Sequence, residues 1–299
     1  MYLRRCTRHD IAWAVAYLSA FQACYGPAHS IALLHLCAYL KTTRNHKLVF
    51  RNDYDLGKTT PLFATMDSSH ATAPDGKSVS AFCVYLYGCL IYSYSKKQTC
   101  VALNSCEAEF IAASDCAKQL AFIVRVCRGF GLAIPNPTPM LEDNQAAIYL
   151  SEKATLNNPR TRHMNVRYHW LLERVQKGEF KLWYVDTENQ VADVITKNAK
   201  SHVHKRLVPL LLGHQPILND AIKKALVAAT TPKPWSPYRI EKPEQTMGGA
   251  TFQRTVLAQA QPRLGAGRLV LSCALSIAMR RRWGSRTINR LAYQWRTPS

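Results

Sequence analysis

The sequence predicts an α/β fold in which a mixed five-stranded sheet is flanked by helices. Two observations carry this prediction. Three short β-rich runs follow one another between residues 61 and 95, and helical and extended patterns alternate from there to about residue 197. Sequential strands followed by alternating elements are typical of a mixed sheet covered by helices. A short helical segment precedes this region, and we expect a basic, poorly structured tail after it.

The first fifty residues predict two helices. Apolar residues recur at helical spacing from Ile11 to Phe21 and again from His29 to Leu40, and a Gly26-Pro27 break separates the two segments. The strand pattern begins at Pro61 with PLFATMD, and it continues with SVSAFCVYLYG and CLIYSYS. A tight turn at Gly88 between the last two runs predicts a hairpin.

The longest predicted helix runs from Ser105 to Arg128. Its apolar residues recur at steps of three and four and form a core-facing stripe, and Gly129 and Gly131 end it. A fourth strand, PTPML, leads into Asp143 and a helix through residue 150. The segment 161–177 is helical by pattern, FKLWYV is the fifth strand, and 188–197 is predicted as the last helix.

The charge balance predicts a polyanionic partner. The chain has 39 Lys and Arg against 19 Asp and Glu, a net charge of +20. Residues 214–299 hold 14 Lys and Arg against 3 acids, a net of +11. We therefore divide the chain into a helical segment (1–50), an α/β domain (51–213) and a basic tail (214–299), and we expect the tail to bind nucleic acid.

Membrane insertion and secretion are not expected. The apolar stretch Leu269 to Met279 is too short to span a bilayer, which takes about 20 residues, and the charged N-terminus has no uninterrupted apolar core. The ten cysteines are scattered without a C-x-x-C pair, as in proteins of a reduced compartment. These observations predict an intracellular protein, cytoplasmic or nuclear.

Four acids stand where chemistry is plausible: Asp67 ends the first strand, Glu109 lies early in the long helix, Asp143 follows the fourth strand, and Asp193 lies in the last helix. In one cleft their charges would repel unless cations lay between them. Two Mg²⁺ ions suit such oxygen ligands and can activate a water for phosphodiester hydrolysis. Singly, each acid also has an ordinary explanation, such as a helix cap at Asp143 or a turn residue at Asp67.

Four sequence blocks carry a family resemblance. The blocks SKKQTCVALNSCEAEFIAAS (95–114), LEDNQAAIYL (141–150), NNPRTRHMNVRYHW (157–170) and WYVDTENQVADVITK (183–197) resemble, in order, the ribonuclease H domain of copia-type LTR retrotransposon polyproteins. The upstream segments RHDIAWAVAYLSAF and GPAHSIALLHLCAYLKTTRNHKLVF are similar to the end of the preceding reverse transcriptase. Together the similarity covers about residues 8–212.

The resemblance implies a ribonuclease H-like fold that hydrolyses the RNA strand of RNA–DNA hybrids with two Mg²⁺ ions, Mn²⁺ being an alternative. It assigns the metal-binding and catalytic roles to Asp67, Glu109, Asp143 and Asp193. Two departures are visible. The family usually reads Asp-Ala-Asp-Trp where this chain has Asp67-Ser68-Ser69-His70, and the loop before Lys77 is one residue shorter than in the family. The rival hypothesis is therefore a catalytically inactive nucleic-acid-binding relic of a retrotransposon. No Tyr-x-Asp-Asp polymerase motif is present in the sequence.

Several basic residues are candidates for nucleic-acid binding. Alternating cations near a polyanion cleft position phosphates without reading sequence, although a solvated helix face is an equal alternative. Lys96 and Lys97, after the third strand, either contact the nucleic-acid backbone or cap a turn. The candidates are Lys96, Lys97, Arg160, Arg162, His163 and Arg167.

Overall fold

The computed structural model describes residues 2–51, 60–73, 75–153, 166–217 and 220–230. Among the helices of these ranges, none combines the length and the apolar character needed to cross a bilayer. The helices are α1 (Tyr2–Cys6), α2 (Ala12–Ala20), α3 (Pro27–Thr42), α4 (Ser105–Gly129), α5 (Gln145–Lys153), α6 (Val166–Gln176), α7 (Asp193–Thr196), α8 (Ser201–Leu211) and α9 (Asp220–Thr230). The strands are β1 (Leu62–Ser69), β2 (Val79–Leu86), β3 (Cys89–Lys97), β4 (Thr138–Glu142) and β5 (Phe180–Tyr184).

The five strands form one mixed sheet in the order β3-β2-β1-β4-β5. The first three strands are antiparallel neighbours, whereas β4 runs parallel to both β1 and β5. The prediction of a mixed five-stranded sheet flanked by helices is confirmed. The predicted hairpin is also present, since Tyr87 and Gly88 both have positive φ (49° and 73°) between β2 and β3. Two such residues in succession match the type I′ turn that suits a two-residue hairpin.

Helices cover both faces of the sheet. Alternate side chains of β1 point to opposite faces. Met66 packs into a core with α4 residues such as Leu120, whereas Phe63 packs into a second core with residues of α7, α8 and α9. All eight residues of β1 are buried, as expected for a central strand covered on both sides.

The prediction of one continuous helix over residues 188–197 is wrong. A 3₁₀ turn (Thr187–Asn189) comes first, and only Asp193–Thr196 is α-helical. The cause is Gln190, which is fully buried between the two segments and whose Nε2 donates to the Met66 carbonyl at 2.8 Å. This long-range bond fixes the backbone at residues 190–192 and delays the helix.

The packed core continues past residue 213, where the prediction ended the folded domain. Ile217, Ile222 and Leu226 are buried in the same core as Phe63. Helix α9 is therefore part of the folded domain. Its apolar residues recur at helical spacing on one face, which allows the helix to pack against this core. The rest of the predicted basic tail, residues 231–299, lies outside the described residues.

The N-terminal segment packs onto β3, the strand at one edge of the sheet. The His9 Nδ1 lies 2.6 Å from the Ser93 hydroxyl, and the Arg4 guanidinium donates to the Ser95 carbonyl. Ala12 joins the core around Phe63. The N-terminal segment thus covers part of this edge, and Arg4 provides a donor to one of its backbone carbonyl groups.

Candidate active site

Three of the predicted acids meet at one edge of the sheet. Asp67 lies near the end of β1, and Asp143 directly follows β4, the parallel neighbour of β1. Parallel strands end at the same sheet edge, so the two residues lie side by side. Asp193 opens α7 beneath them. One carboxylate oxygen of each aspartate lies within 4.8 Å of the other two.

An open pocket at this edge of the sheet is lined by Asp67, Asp143 and Glu109, but Glu109 is not part of the three-carboxylate cluster. Its place on α4 is set by the helix start, where the Asn104 side chain accepts from the Glu107 N–H and Glu107 accepts from the Leu103 N–H. This reciprocal capping fixes the first turn. Glu109 follows on the buried side of the helix, on the pocket wall beside Ser68.

The alternative roles considered for Asp67 and Asp143 do not match the structure. Asp67 lies inside β1, paired with Ala81, and is not a turn residue. The cap of α5 is Asn144, whose Oδ1 accepts from the N–H groups of Ala146 and Ala147. Asp143 instead accepts a hydrogen bond of 2.7 Å from the Thr187 hydroxyl, which orients its carboxylate toward the pocket.

Three of the acids at the site are buried. Asp67, Glu109 and Asp193 are 2%, 6% and 4% exposed, and the Oδ2 of Asp67 has no hydrogen-bond partner among the described residues. Burial raises the pKa of Asp67 well above its ordinary value, and the negative charges of Asp193 and Glu109 add to this shift. Burial likewise raises the pKa of Glu109 to about 8. These groups would ionise more readily beside a cation.

A fifth carboxyl, Glu142, lies beneath the site and was missed by the sequence reasoning. It is fully buried, and its Oε1 accepts hydrogen bonds from the N–H groups of Asp143 and Asn144 at 3.1 and 3.0 Å. Burial raises the pKa of Glu142 well above its ordinary value, and the charge of Glu109 adds to the effect. The available signal was its place at the end of a parallel strand, where both faces are covered.

Lys197 also reaches the site and was not predicted to do so. Its Nζ lies 2.8 Å from the Oδ1 of Asp193 and 3.7 Å from the Oδ2 of Asp67. The sequence signal was the i, i+4 spacing between Asp193 and Lys197, which brings an acid and a base together on a helix.

The predicted nucleic-acid-binding residues fall into two groups. Lys96 and Lys97 are exposed at the end of β3, and Lys97 forms a 2.8 Å ion pair with Asp75. Lys96 pairs with Ser80, which pairs with Ser68, so its backbone lies two strands, roughly 10 Å, from the acid-bearing strand. Arg160, Arg162 and His163 lie outside the described residues, as does the side chain of Arg167.

The departure at residues 68–70 leaves the first acid in place. Ser68 and Ser69 continue β1 in regular register with β2, and the exposed His70 lies 3.2 Å, through Nε2, from the Ala102 carbonyl. The change therefore affects the rim of the pocket and not the strand that holds Asp67.

The donor set fits a hard divalent cation. The clustered ligand atoms are all carboxylate oxygens, the type that Mg²⁺ and Mn²⁺ prefer, and the described part of the pocket contains neither cysteine nor histidine. The buried Oδ2 of Asp67 accepts no hydrogen bond from the described residues and has only the Lys197 ammonium nearby, at 3.7 Å, so a divalent cation beside it would satisfy this oxygen.

Comparisons with known proteins identify the lineage of the chain. It is 34% identical over 199 residues to the retrovirus-related Pol polyprotein from transposon TNT 1-94 of Nicotiana tabacum, a match to 66% of this chain and 14% of that protein. It is 31% identical over 192 residues to the corresponding polyprotein of transposon RE1 of Arabidopsis thaliana, a match to 64% of this chain and 13% of that protein. No family model matches the chain.

Among solved structures, the N-terminal RNase H domain of a Mycobacterium tuberculosis protein is similar, with 12% identity and a TM-score of 0.33. That match covers 48% of this chain and 96% of the domain. The chain spans about one seventh of the length of the polyproteins it matches. Its homologues are copia-type retrovirus-related Pol polyproteins of plant transposons, and the chain is similar to one segment of them.

Proposed function

We propose that this chain is a metal-dependent ribonuclease H that hydrolyses the RNA strand of RNA–DNA hybrids. The observation that carries the proposal is the convergence of Asp67, Asp143 and Asp193 within 4.8 Å at the edge of the sheet. A hybrid formed while a retrotransposon is copied is its natural substrate, which places the activity inside the cell, in the cytoplasm or the nucleus.

The acids divide the work of holding the cations. Asp67, Asp143 and Asp193 supply the clustered oxygens, and Glu109 supplies a further carboxylate from the pocket wall. Two Mg²⁺ ions, when bound, would supply an activated water and charge stabilisation for the leaving 3′ oxygen. Thr187 holds the Asp143 carboxylate in orientation, and Gln190 ties the segment before Asp193 to β1.

Substrate binding is assigned to the basic residues around the pocket. Lys96 and Lys97 extend from the strand end near the acids, and Arg160, Arg162, His163 and Arg167 precede or begin α6. Cations at these positions would bind phosphates, while the 2′-hydroxyls of the RNA strand would provide selectivity over DNA. The tail would add sequence-independent affinity for nucleic acid through its positive charge.

The variant Asp143→Asn tests the proposal. It removes one charge from the pocket and keeps the side-chain size, so the protein should fold and bind hybrid yet lose cleavage by a factor of about 100 or more. The measurement is cleavage of a labelled RNA–DNA hybrid in Mg²⁺. The matched control is Asp115→Asn on α4, where the aspartate forms a 3.4 Å ion pair with the exposed Lys118.

The same assay decides between the enzyme and the inactive relic. The exposed His70 and the altered rim beside Asp67 are the features that favour a relic. If wild type and Asp143→Asn both bind hybrid and neither cleaves it, the relic hypothesis is correct. Equal, measurable cleavage by the two proteins would contradict the proposed site.

A further inference from the structure

Lys197 is, among the described residues, the one basic side chain within 4 Å of any pocket acid. Its Nζ contacts Asp193 at 2.8 Å and lies 3.7 Å from Asp67, and Lys197 also lines the open pocket beside Glu109 and Asp143. The ammonium thus lies beside two of the three aspartates that form the carboxylate cluster.

The position of this ammonium is built into the backbone. Helix α7 has only one turn, and the Lys197 N–H donates to the Asp193 carbonyl at 3.2 Å, which places the two side chains one above the other. The intervening Val194 and Ile195 are buried and hold the turn against the sheet. The Lys197 side chain is 39% exposed, so its end can turn into solvent without disturbing the core.

We propose that Lys197 is an internal counter-cation of the pocket. It holds Asp67 and Asp193 in place when no divalent cation is present, and it is displaced from them when one binds. Lys197 thereby sets the concentration of divalent cation that the site requires. This inference rests on the proposed function, since it concerns the same carboxylates.

The physical reason is competition for the same oxygens. An ammonium beside Asp193 and Asp67 offsets part of the repulsion between buried carboxylates, which stabilises the metal-free pocket. A divalent cation seeks those oxygens too, and like charges so close repel. Each binding event must therefore break the contacts of Lys197, and the free energy of those contacts is subtracted from the affinity for the cation.

The first experiment compares Mg²⁺ binding in the wild type and in Lys197→Met, using the full chain and isothermal titration calorimetry. We expect the variant to bind Mg²⁺ about tenfold more tightly. A nearby opposite charge shifts the pKa of a carboxylate by about one unit or more, and the low end applies here because Lys197 is partly exposed. In EDTA its thermal midpoint should fall by about 3 °C, since the acids lose their counter-ion.

Two control variants separate the contact from general charge. Lys200→Met removes the same charge from an exposed residue three positions away and should leave the Mg²⁺ affinity close to that of the wild type. Lys197→Arg keeps a positive charge at the site and should also stay near the wild-type affinity.

A second measurement needs no variant. An amine-acylating reagent modifies free lysine side chains faster than ion-paired ones, so Mg²⁺ should increase the labelling of Lys197 in the wild type, measured by mass spectrometry. Lys200 serves as the internal reference, and its labelling should not change. This measurement stands even if Lys197→Met does not fold.

The outcomes distinguish this proposal from the proposed function. If the wild type binds Mg²⁺ and cleaves hybrid, but Lys197→Met has the same affinity and Mg²⁺ leaves Lys197 labelling unchanged, the counter-cation role is wrong and the nuclease stands. If the wild type neither binds Mg²⁺ nor cleaves, both proposals fail. The role of Lys197 is supported if Lys197→Met binds Mg²⁺ more tightly than the wild type and if Mg²⁺ increases the labelling of Lys197 in the wild type. This holds even if the protein does not cleave hybrid.

Discussion

Asp10 and Asp67 are both buried aspartates, yet their surroundings are opposite. Asp10 receives a bidentate pair from Arg8, with contacts of 3.0 and 2.8 Å, and a 2.7 Å hydrogen bond from the Tyr39 hydroxyl. Asp67 has acids as neighbours and one oxygen without a hydrogen-bond partner among the described residues. The first carboxylate has its full set of donors within the protein, whereas the second has, among the described residues, only the Lys197 ammonium at 3.7 Å as a cationic neighbour.

The pKa values of Asp10 and Asp67 shift in opposite directions because of this difference. Burial alone pushes the pKa of Asp10 upward, but the hydrogen bonds from Arg8 and Tyr39 outweigh it and the pKa falls below its ordinary value. At Asp67, burial and neighbouring negative charge act in the same direction and the pKa rises. Burial of an acid therefore does not by itself indicate a functional site. A buried acid with a raised pKa and too few hydrogen-bond donors is a candidate for one.

Among the single substitutions, the largest expected effect on stability comes from breaking the pair of Arg8 and Asp10. Asp10→Asn leaves the Arg8 guanidinium buried without its counter-ion and should cost about 3 kcal/mol of unfolding free energy, as for other buried pairs that lose one partner. Urea denaturation in EDTA measures this. Asp115→Asn, at a surface pair, should change stability by about 0.5 kcal/mol or less. A loss at Asp10 no larger than at Asp115 would mean that the pair is not a structural anchor.

The same chemical change at Asp67 should have the opposite sign. Asp67→Asn removes a charge that repels Asp193 and Glu109, so the metal-free protein should gain about 1–2 kcal/mol, the size of relieving roughly one pKa unit. Urea denaturation in EDTA is again the measurement. Added Mg²⁺ should stabilise the wild type more than this variant. A destabilised Asp67→Asn would show that Asp67 is already satisfied within the protein.

The next prediction concerns how the unfolding free energy of the metal-free protein depends on pH. The pKa of Glu109 is raised by burial from its ordinary 4.5 to about 8, so between these values the folded state binds a proton that the unfolded state lacks. Stability in EDTA should therefore fall as pH rises from 5 to 8, by at most about 1.4 kcal/mol per pH unit for one proton.

The matched variant for this titration is Glu109→Gln, which cannot ionise and should flatten part of the slope. Thermal unfolding in EDTA at several pH values gives both curves. An unchanged slope in Glu109→Gln would assign the titration to another group. In Mg²⁺ the wild-type slope should also shrink, because cation binding favours the deprotonated carboxylates.

The sequence predicted those parts of the fold that local pattern controls. The hairpin turn at Gly88 and the stripe of α4 follow from a two-residue turn and a helical period, so their positions matched closely. The break before α7 did not, because it depends on a hydrogen bond from Gln190 to Met66, 124 residues away. Helix α9 had a readable apolar spacing, but the high charge of the surrounding segment concealed it.

The candidate site divides in the same way. Asp143 and Asp193 were identified through short sequence blocks and Asp67 through its place at the end of the first strand. Only folding shows that the three meet and that Glu109 stands apart on the pocket wall. Lys197 was hidden because an i, i+4 pair on a helix usually lies on the surface. Whether such a pair faces solvent or a pocket depends on the strand packed against it, which no local pattern reveals.

The smallest expected effect on stability is that of a substitution at Glu142, a third buried acid that can be compared with Asp10 and Asp67. Glu142 is buried like Asp67, but two backbone N–H groups bond to its Oε1, and burial beside Glu109 favours its neutral form. Glutamine keeps an oxygen in that place and carries no charge. Glu142→Gln should therefore change the unfolding free energy by about 0.5 kcal/mol or less and the rate of hybrid cleavage by no more than about threefold.

Asp143→Asn, the same acid-to-amide change one residue away, should lose cleavage almost entirely. If Glu142→Gln is as inactive as Asp143→Asn while remaining folded, Glu142 is ionised in the working protein and belongs with the acids that hold the cations.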